Sequence, residues 1–178
     1  MRPQDIVILL KKIVPGGWFM NGKQLSESVG ISQSEVSEAL ARCKVSGLID
    51  PSSNRVNTLA LKDFLVFGLK YAFPIVPAGV MKGVPTYVSA SPIKERIVQS
   101  NEVFVWPDNK GSLRGQAIQP LYPSVPSAIE KDSDLYALLV VADTLRMGRV
   151  REREIAIEIL DHYILNYAKQ QRKAETDC

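Results

Sequence analysis

Proline divides this chain. Of its eleven prolines, eight fall between residues 74 and 126, and a residue that lacks an amide hydrogen and clashes with the preceding turn excludes long helices from that stretch. On either side, residues 3–72 and 133–169 carry apolar side chains three and four apart, the spacing of amphipathic helices. The expected class is therefore α+β, with helices at both ends and short extended segments between them. The expected division falls at residue 74: a first domain over 1–73 that ends in a linking helix, and a C-terminal domain over 74–178 for dimerisation or for an effector or partner.

Capping signals organise the first domain. Residues 3–14 place Ile6, Leu9, Leu10 and Ile13 on one helical face, with Pro3 in the first turn and Pro15-Gly16-Gly17 as the stop. Asn21 and Gln24 form a capping box for a second helix, whose Leu25 and Val29 lie four apart and which Gly30 ends. Ser32-Gln33-Ser34-Glu35 is another capping box, opening a third helix with an inner face of Val36, Leu40 and Cys43 and a stop at Gly47. Leu48-Ile49-Asp50, a polar turn over 51–55, and Val56 read as a short hairpin. Asn57 caps a fourth helix running to about Ala72. Its apolar residues Leu59, Leu61, Phe64, Leu65, Phe67, Leu69 and Tyr71 go most of the way round, so burial on more than one side, or against a second subunit, is expected.

In the second domain, residues 103–106 and 113–118 flank the turn residues Asp108-Asn109-Lys110-Gly111 and predict a hairpin. Gly79-Val80-Met81-Lys82-Gly83 lacks the order of a phosphate-binding loop and reads as a turn between extended segments. Two amphipathic helices over 133–146 and 151–169, divided at Gly148, predict an antiparallel pair, with Ile155, Ile159, Tyr163 and Tyr167 spaced by four in the second.

Composition removes several classes. A chain that is 46% hydrophobic buries a real core. Its longest apolar stretch, residues 64–76, is broken by Lys70 and is too short for a membrane span. With no cleavage site behind the first residues, a cytoplasmic protein without a membrane partner is expected. Cys43 at an apolar helix position and Cys178 at the end make a poor disulfide pair. His162 stands alone, and Glu152, Glu154 and Glu158 alternate with Arg149, Arg151 and Arg153 as on a solvated helix face. No nucleophile has a recognisable setting, so no enzyme, cofactor or metal is expected. The net charge of +3 resides wholly in residues 1–62, which hold eight Lys/Arg against five Asp/Glu, a balance compatible with a nucleic-acid-binding module.

The run from Gly30-Ile31-Ser32-Gln33-Ser34-Glu35-Val36-Ser37 to Gly47-Leu48-Ile49 strongly resembles the winged helix-turn-helix of MarR-like and related bacterial regulators. That resemblance implies a sequence-specific, duplex-DNA-binding transcriptional regulator acting as a homodimer. It carries base contact onto Gln33, Ser34, Ser37 and Glu38, with Ser32 at the cap, phosphate contact onto Arg42 and Lys44, and the wing onto Ser53, Asn54 and Arg55. Glu38 departs from the basic or neutral residue usual there, although a carboxylate accepts from a cytosine amine. Two alternatives stand beside this one: a protein-interaction module, such as the regulatory or antitoxin member of a two-gene pair, and a regulator sensing a small-molecule effector under the fourth helix or in the proline-rich region. Residues 67–74, 121–126 and 143–149 are similar to an uncharacterised set of bacterial winged-helix proteins, a likeness that implies no ligand or reaction.

Overall fold

The computed structural model describes residues 1–97 and 102–176; Cys178 lies outside the described residues. Helix α1 (Pro3–Ile13) begins with Pro3 in its first turn, where a missing amide hydrogen costs nothing, and the Asp5 carboxylate accepts from the Arg2 backbone N–H at 2.8 Å. Helix α2 (Gly22–Val29) has the expected reciprocal cap: Asn21 Oδ1 accepts from Gln24 N–H and Gln24 Oε1 from Asn21 N–H, both at 3.0 Å. It ends on Gly30 at φ +64°, a left-handed turn that favours glycine. Helix α3 (Gln33–Val45) follows, with Ser32 Oγ accepting from Glu35 N–H. Only half of the expected capping box forms there. The Glu35 carboxylate turns away from the Ser32 backbone because Arg42, Gln4 and Arg2 all donate to it.

The expected apolar stripe on α1 understates its burial, since every residue from Asp5 to Ile13 is buried. Helices α2 and α3 pack on one side of it, and, after the one-turn α6 (Val125–Ala128), α7 (Ser133–Met147) and α8 (Val150–Thr176) close the other. The two ends of the chain therefore share one hydrophobic core, which runs from Ile6 and Leu25 to Leu138 and Leu160.

After α3 the chain forms a single antiparallel bridge, Ile49 to Val56, and Asn57 then caps α4 (Thr58–Asp63) through Ala60 N–H. Helix α4 continues through one π-helical turn (Phe64–Gly68) into α5 (Leu69–Ala72). A π turn leaves a carbonyl free of its usual partner, and the Val66 carbonyl accepts from Arg153 Nη2 of α8 at 2.7 Å. Leu61, Leu65, Val66 and Leu69 face inward. Leu59, Phe67 and Tyr71 are 72%, 68% and 74% exposed, so within the chain this helix is buried on one side only, against expectation.

Strands β1 (Val80–Pro85), β2 (Phe104–Pro107) and β3 (Leu113–Ala117) close on themselves as a three-stranded barrel. Strand β1 is antiparallel to both others, with Gly83 opposite Pro107 on one side and Leu113 on the other, whereas β2 and β3 run parallel. This corrects two expectations. Residues 103–118 are not a hairpin, and residues 80–83 are strand rather than turn. The turn residues still turn, with Gly111 N–H donating to the Asp108 carbonyl, but the turn carries the chain past β1 instead of back along β2. Glycine makes the closure possible: a Cβ on Gly83 would meet the Trp106 carbonyl oxygen at 2.0 Å, and one on Gly111 the Gly83 carbonyl carbon at 2.1 Å.

Buried polar bonds join the barrel to the helices. The Asp143 carboxylate of α7 accepts from Trp106 Nε1 at 2.7 Å, Thr86 Oγ1 at 2.8 Å and Arg146 Nη1 at 2.8 Å, while Arg146 Nε donates to the Phe73 carbonyl. Burial pushes the Asp143 carboxyl above its ordinary range, opposed by Arg146 and the two neutral donors. Helices α7 and α8 form the expected antiparallel pair, but the charges at the start of α8 are not simply a solvated face: Glu152 accepts from Tyr87, Arg153 donates to the Leu145 and Val66 carbonyls, and Glu158 pairs with Arg96. His162 is exposed and bonded to Asn166. Among the described residues, no helix is long and apolar enough to cross a membrane.

Candidate functional site

Helix α3 separates its residues by face. Val36, Ala39 and Cys43 are buried against α1 and α2, and burial pushes the Cys43 thiol up to about 12. Ser32, Gln33, Ser34, Ser37 and Glu38 are exposed, forming a polar surface over the first two turns. Leu40, expected on the packed underside, is only half-buried and edges a cavity. Leu40→Ala should therefore cost about 1–2 kcal/mol, against roughly 2–5 kcal/mol for the fully enclosed Leu25→Ala. Urea melts of the two variants test this, and an equal loss would put Leu40 inside the core.

Arg42 does not present a free guanidinium to a phosphate. Its Nε and Nη2 grip the fully buried Asp5, at 3.0 and 2.7 Å, while Nη2 also meets Glu35 at 2.6 Å and Nη1 meets Glu38 at 3.4 Å. The fork is spent on binding α3 to the start of α1, which corrects its expected role. Arg42 also holds the Glu35 carboxyl below its ordinary range, followed by Gln4. Glu38 is partly neutralised by the same guanidinium.

At the hairpin tip, the Asp50 carboxylate accepts from the backbone N–H and hydroxyl of both Ser52 and Ser53, which pulls it down to about 2. Asn54 adopts φ +55°, the left-handed region that asparagine tolerates. Ser53, Asn54, Arg55 and Lys44 are set apart from the exposed polar row of α3: all four line a cavity of about 380 Å³.

The ten residues singled out from the sequence thus fall into two groups. Ser32, Gln33, Ser34, Ser37 and Glu38, with Arg42 behind them, form the outer face; Lys44, Ser53, Asn54 and Arg55 border the cavity. Sequence reasoning missed Lys12, Trp18 and Gln171, which also line the cavity. Two adjacent lysines following the apolar run of residues 6–10 in α1 were the only signal. Among the described residues, no cluster of three His, Cys, Asp or Glu side chains is placed to hold a metal ion. No protein-family model, curated protein or solved structure matches the chain.

Proposed function

We propose that the protein is a transcriptional regulator that binds duplex DNA sequence-specifically, with residues 1–73 acting as a winged helix-turn-helix and α3 as the recognition helix. One observation carries the reading. A row of short and amide-bearing side chains, Gln33, Ser34 and Ser37, stands exposed on the first turns of a helix whose opposite face is braced by α1 and α2 across the left-handed turn at Gly30. That disposition suits a helix entering the major groove while its predecessor crosses the backbone. Glutamine complements adenine, and serine serves several base edges. With Arg42 engaged, phosphate contact falls to residues such as Lys23, 75% exposed on the first turn of α2. Its contact with Glu27, at 4.0 Å and solvent-exposed, holds it weakly.

The direct test is selection of bound sequences from a random duplex pool. Enrichment of an inverted repeat would report base reading and two copies together, the exposed stripe of Leu59, Phe67 and Tyr71 supplying the seam between them. Gln33→Ala should cost about 1–3 kcal/mol on the selected site and relax preference there, with little effect on random DNA. Lys23→Ala should weaken both about equally and lower the salt slope by about one. Titrations at several salt concentrations check both, and variants indistinguishable from the parent would remove α2 and α3 from the DNA surface.

The same apolar stripe favours a second reading, in which this face binds a different protein, as the antitoxin or regulatory member of a two-gene pair would. A pool without enrichment, together with a stoichiometric partner that stays bound through purification, would select it. Catalysis has no part in either reading.

A further inference from the structure

Beside α3 lies the 380 Å³ cavity, a half-open hollow bordered by the end of α1, the edge of α3, the hairpin tip and the last turns of α8. Three buried side-chain atoms among the described residues lack a hydrogen-bond partner: Trp18 Nε1, Gln171 Nε2 and Gln171 Oε1. All three belong to residues of this one wall. Buried polar groups are nearly always matched, so three unmatched ones on residues of a single wall call for an explanation.

The charges point the same way. Adjacent lysines on α1 are equally buried, at 6% exposure each. Lys11 meets Asp132 at 2.5 Å. Lys12 lines the cavity, and among the described residues no hydrogen bond or ion pair reaches its ammonium or that of its neighbour Lys44. Among the described residues, no carboxylate lines the cavity. Burial, and then repulsion from Lys44, holds the Lys12 ammonium below its ordinary range, a condition that an anion between the two would relieve.

We propose that this cavity binds a small organic anion: a carboxylate or phosphate set between Lys12 and Lys44, on a flat apolar body that lies against Trp18 and Leu40 and offers a hydrogen-bonding edge to Gln171. A cavity of this size holds a ligand of one or two rings. A small anion fits better than duplex DNA as the occupant, because Lys12 and Gln171 are each only 6% exposed. Leu40 and Lys44 of α3 and Ser53 and Asn54 of the hairpin form part of the wall, so occupancy would bias the placement of the DNA-reading elements. That consequence rests on the function proposed above; the binding itself does not.

The chain holds two tryptophans, so the ¹⁵N-labelled protein gives two indole signals. Trp106, whose Nε1 donates to Asp143, is the internal reference. Benzoate and phenyl phosphate should move the Trp18 signal saturably and leave the Trp106 signal in place, while neutral benzyl alcohol should bind at least roughly tenfold more weakly. Lys12→Met, which keeps the stem and removes the charge, should lose binding by a similar factor yet melt at a higher temperature than the parent. Gln171→Leu should weaken the anions too, and Lys82→Met on exposed β1 should not.

The proposal is overturned if neither anion moves the Trp18 signal at millimolar concentration, if benzyl alcohol binds as well as benzoate, or if Lys12→Met, with its Trp106 signal intact, binds like the parent. Movement of Trp18 by duplex DNA but by neither anion would also overturn it. The two readings fail separately: a protein that binds no duplex but retains the anion response loses the regulator and keeps the site.

Discussion

Asp143→Ala is expected to lower the stability of the fold by about 3–5 kcal/mol, the range for removing one partner of a buried ion pair. The carboxylate is 2% exposed and receives three donors from three parts of the chain: Thr86 after β1, Trp106 in β2 and Arg146 one turn along α7. Alanine would leave an indole N–H, a hydroxyl and one arm of a guanidinium buried without acceptors, and each carries its own desolvation cost. Urea denaturation should show a lower midpoint with an unchanged slope. Joining Asp143→Leu to Arg146→Met should recover much of the loss, since the uncompensated charge then goes with its partner. A loss under about 1 kcal/mol in the single variant would mean that the carboxylate does not tie the barrel to α7.

Gly83→Ala is expected to have an effect of comparable size, roughly 3 kcal/mol or more, for a steric reason. Its Cβ would stand 2.0 Å from the Trp106 carbonyl oxygen and 2.9 Å from the Val105 Cβ, and backbone cannot step aside as a long side chain does. Either β1 separates from β2 or the barrel opens. Near-ultraviolet circular dichroism should lose part of the signal of the enclosed Trp106 while the far-ultraviolet helical signal stays largely intact. A variant that melts within about 0.5 kcal/mol of the parent would show that the strands do not close as described.

What could be read from the sequence was local. Asn21, Ser32 and Asn57 cap helices within three residues of themselves, and Gly30 and Gly47 mark stops by the backbone angles they alone take easily. These features gave the order of helices and the exposed face of α3. The barrel was illegible because its decisive pairings are nonlocal: the spacing of 103–118 fits a hairpin, and only β1, some twenty residues upstream, forces β2 and β3 parallel. The glycines that permit this closure made β1 itself look like a turn. The same limit governs the site. Arg42 and Asp5 are 37 residues apart, so nothing in the composition of α3 showed that its arginine was engaged. Asp143 and Arg146 did leave a trace, as a charged pair within the apolar run of α7, but their partners in the barrel could not be named.

The enclosure of α1 has a consequence for how the protein is made. Helix α1 leaves the ribosome well before α7 and α8; it carries Ile6 to Leu10 as an unbroken apolar run, all of it at 1% exposure or less in the finished fold, and its cover on one side comes from helices that begin at Ser133 and Val150. Until those are synthesised, α1 has no complete partner surface, and the nascent chain presents a sticky segment of the kind chaperones hold. A message truncated after residue 73 would accordingly yield α3 mounted on an open-sided base rather than a self-sufficient module. Quality control at the level of the whole chain is thereby built into the placement of one helix.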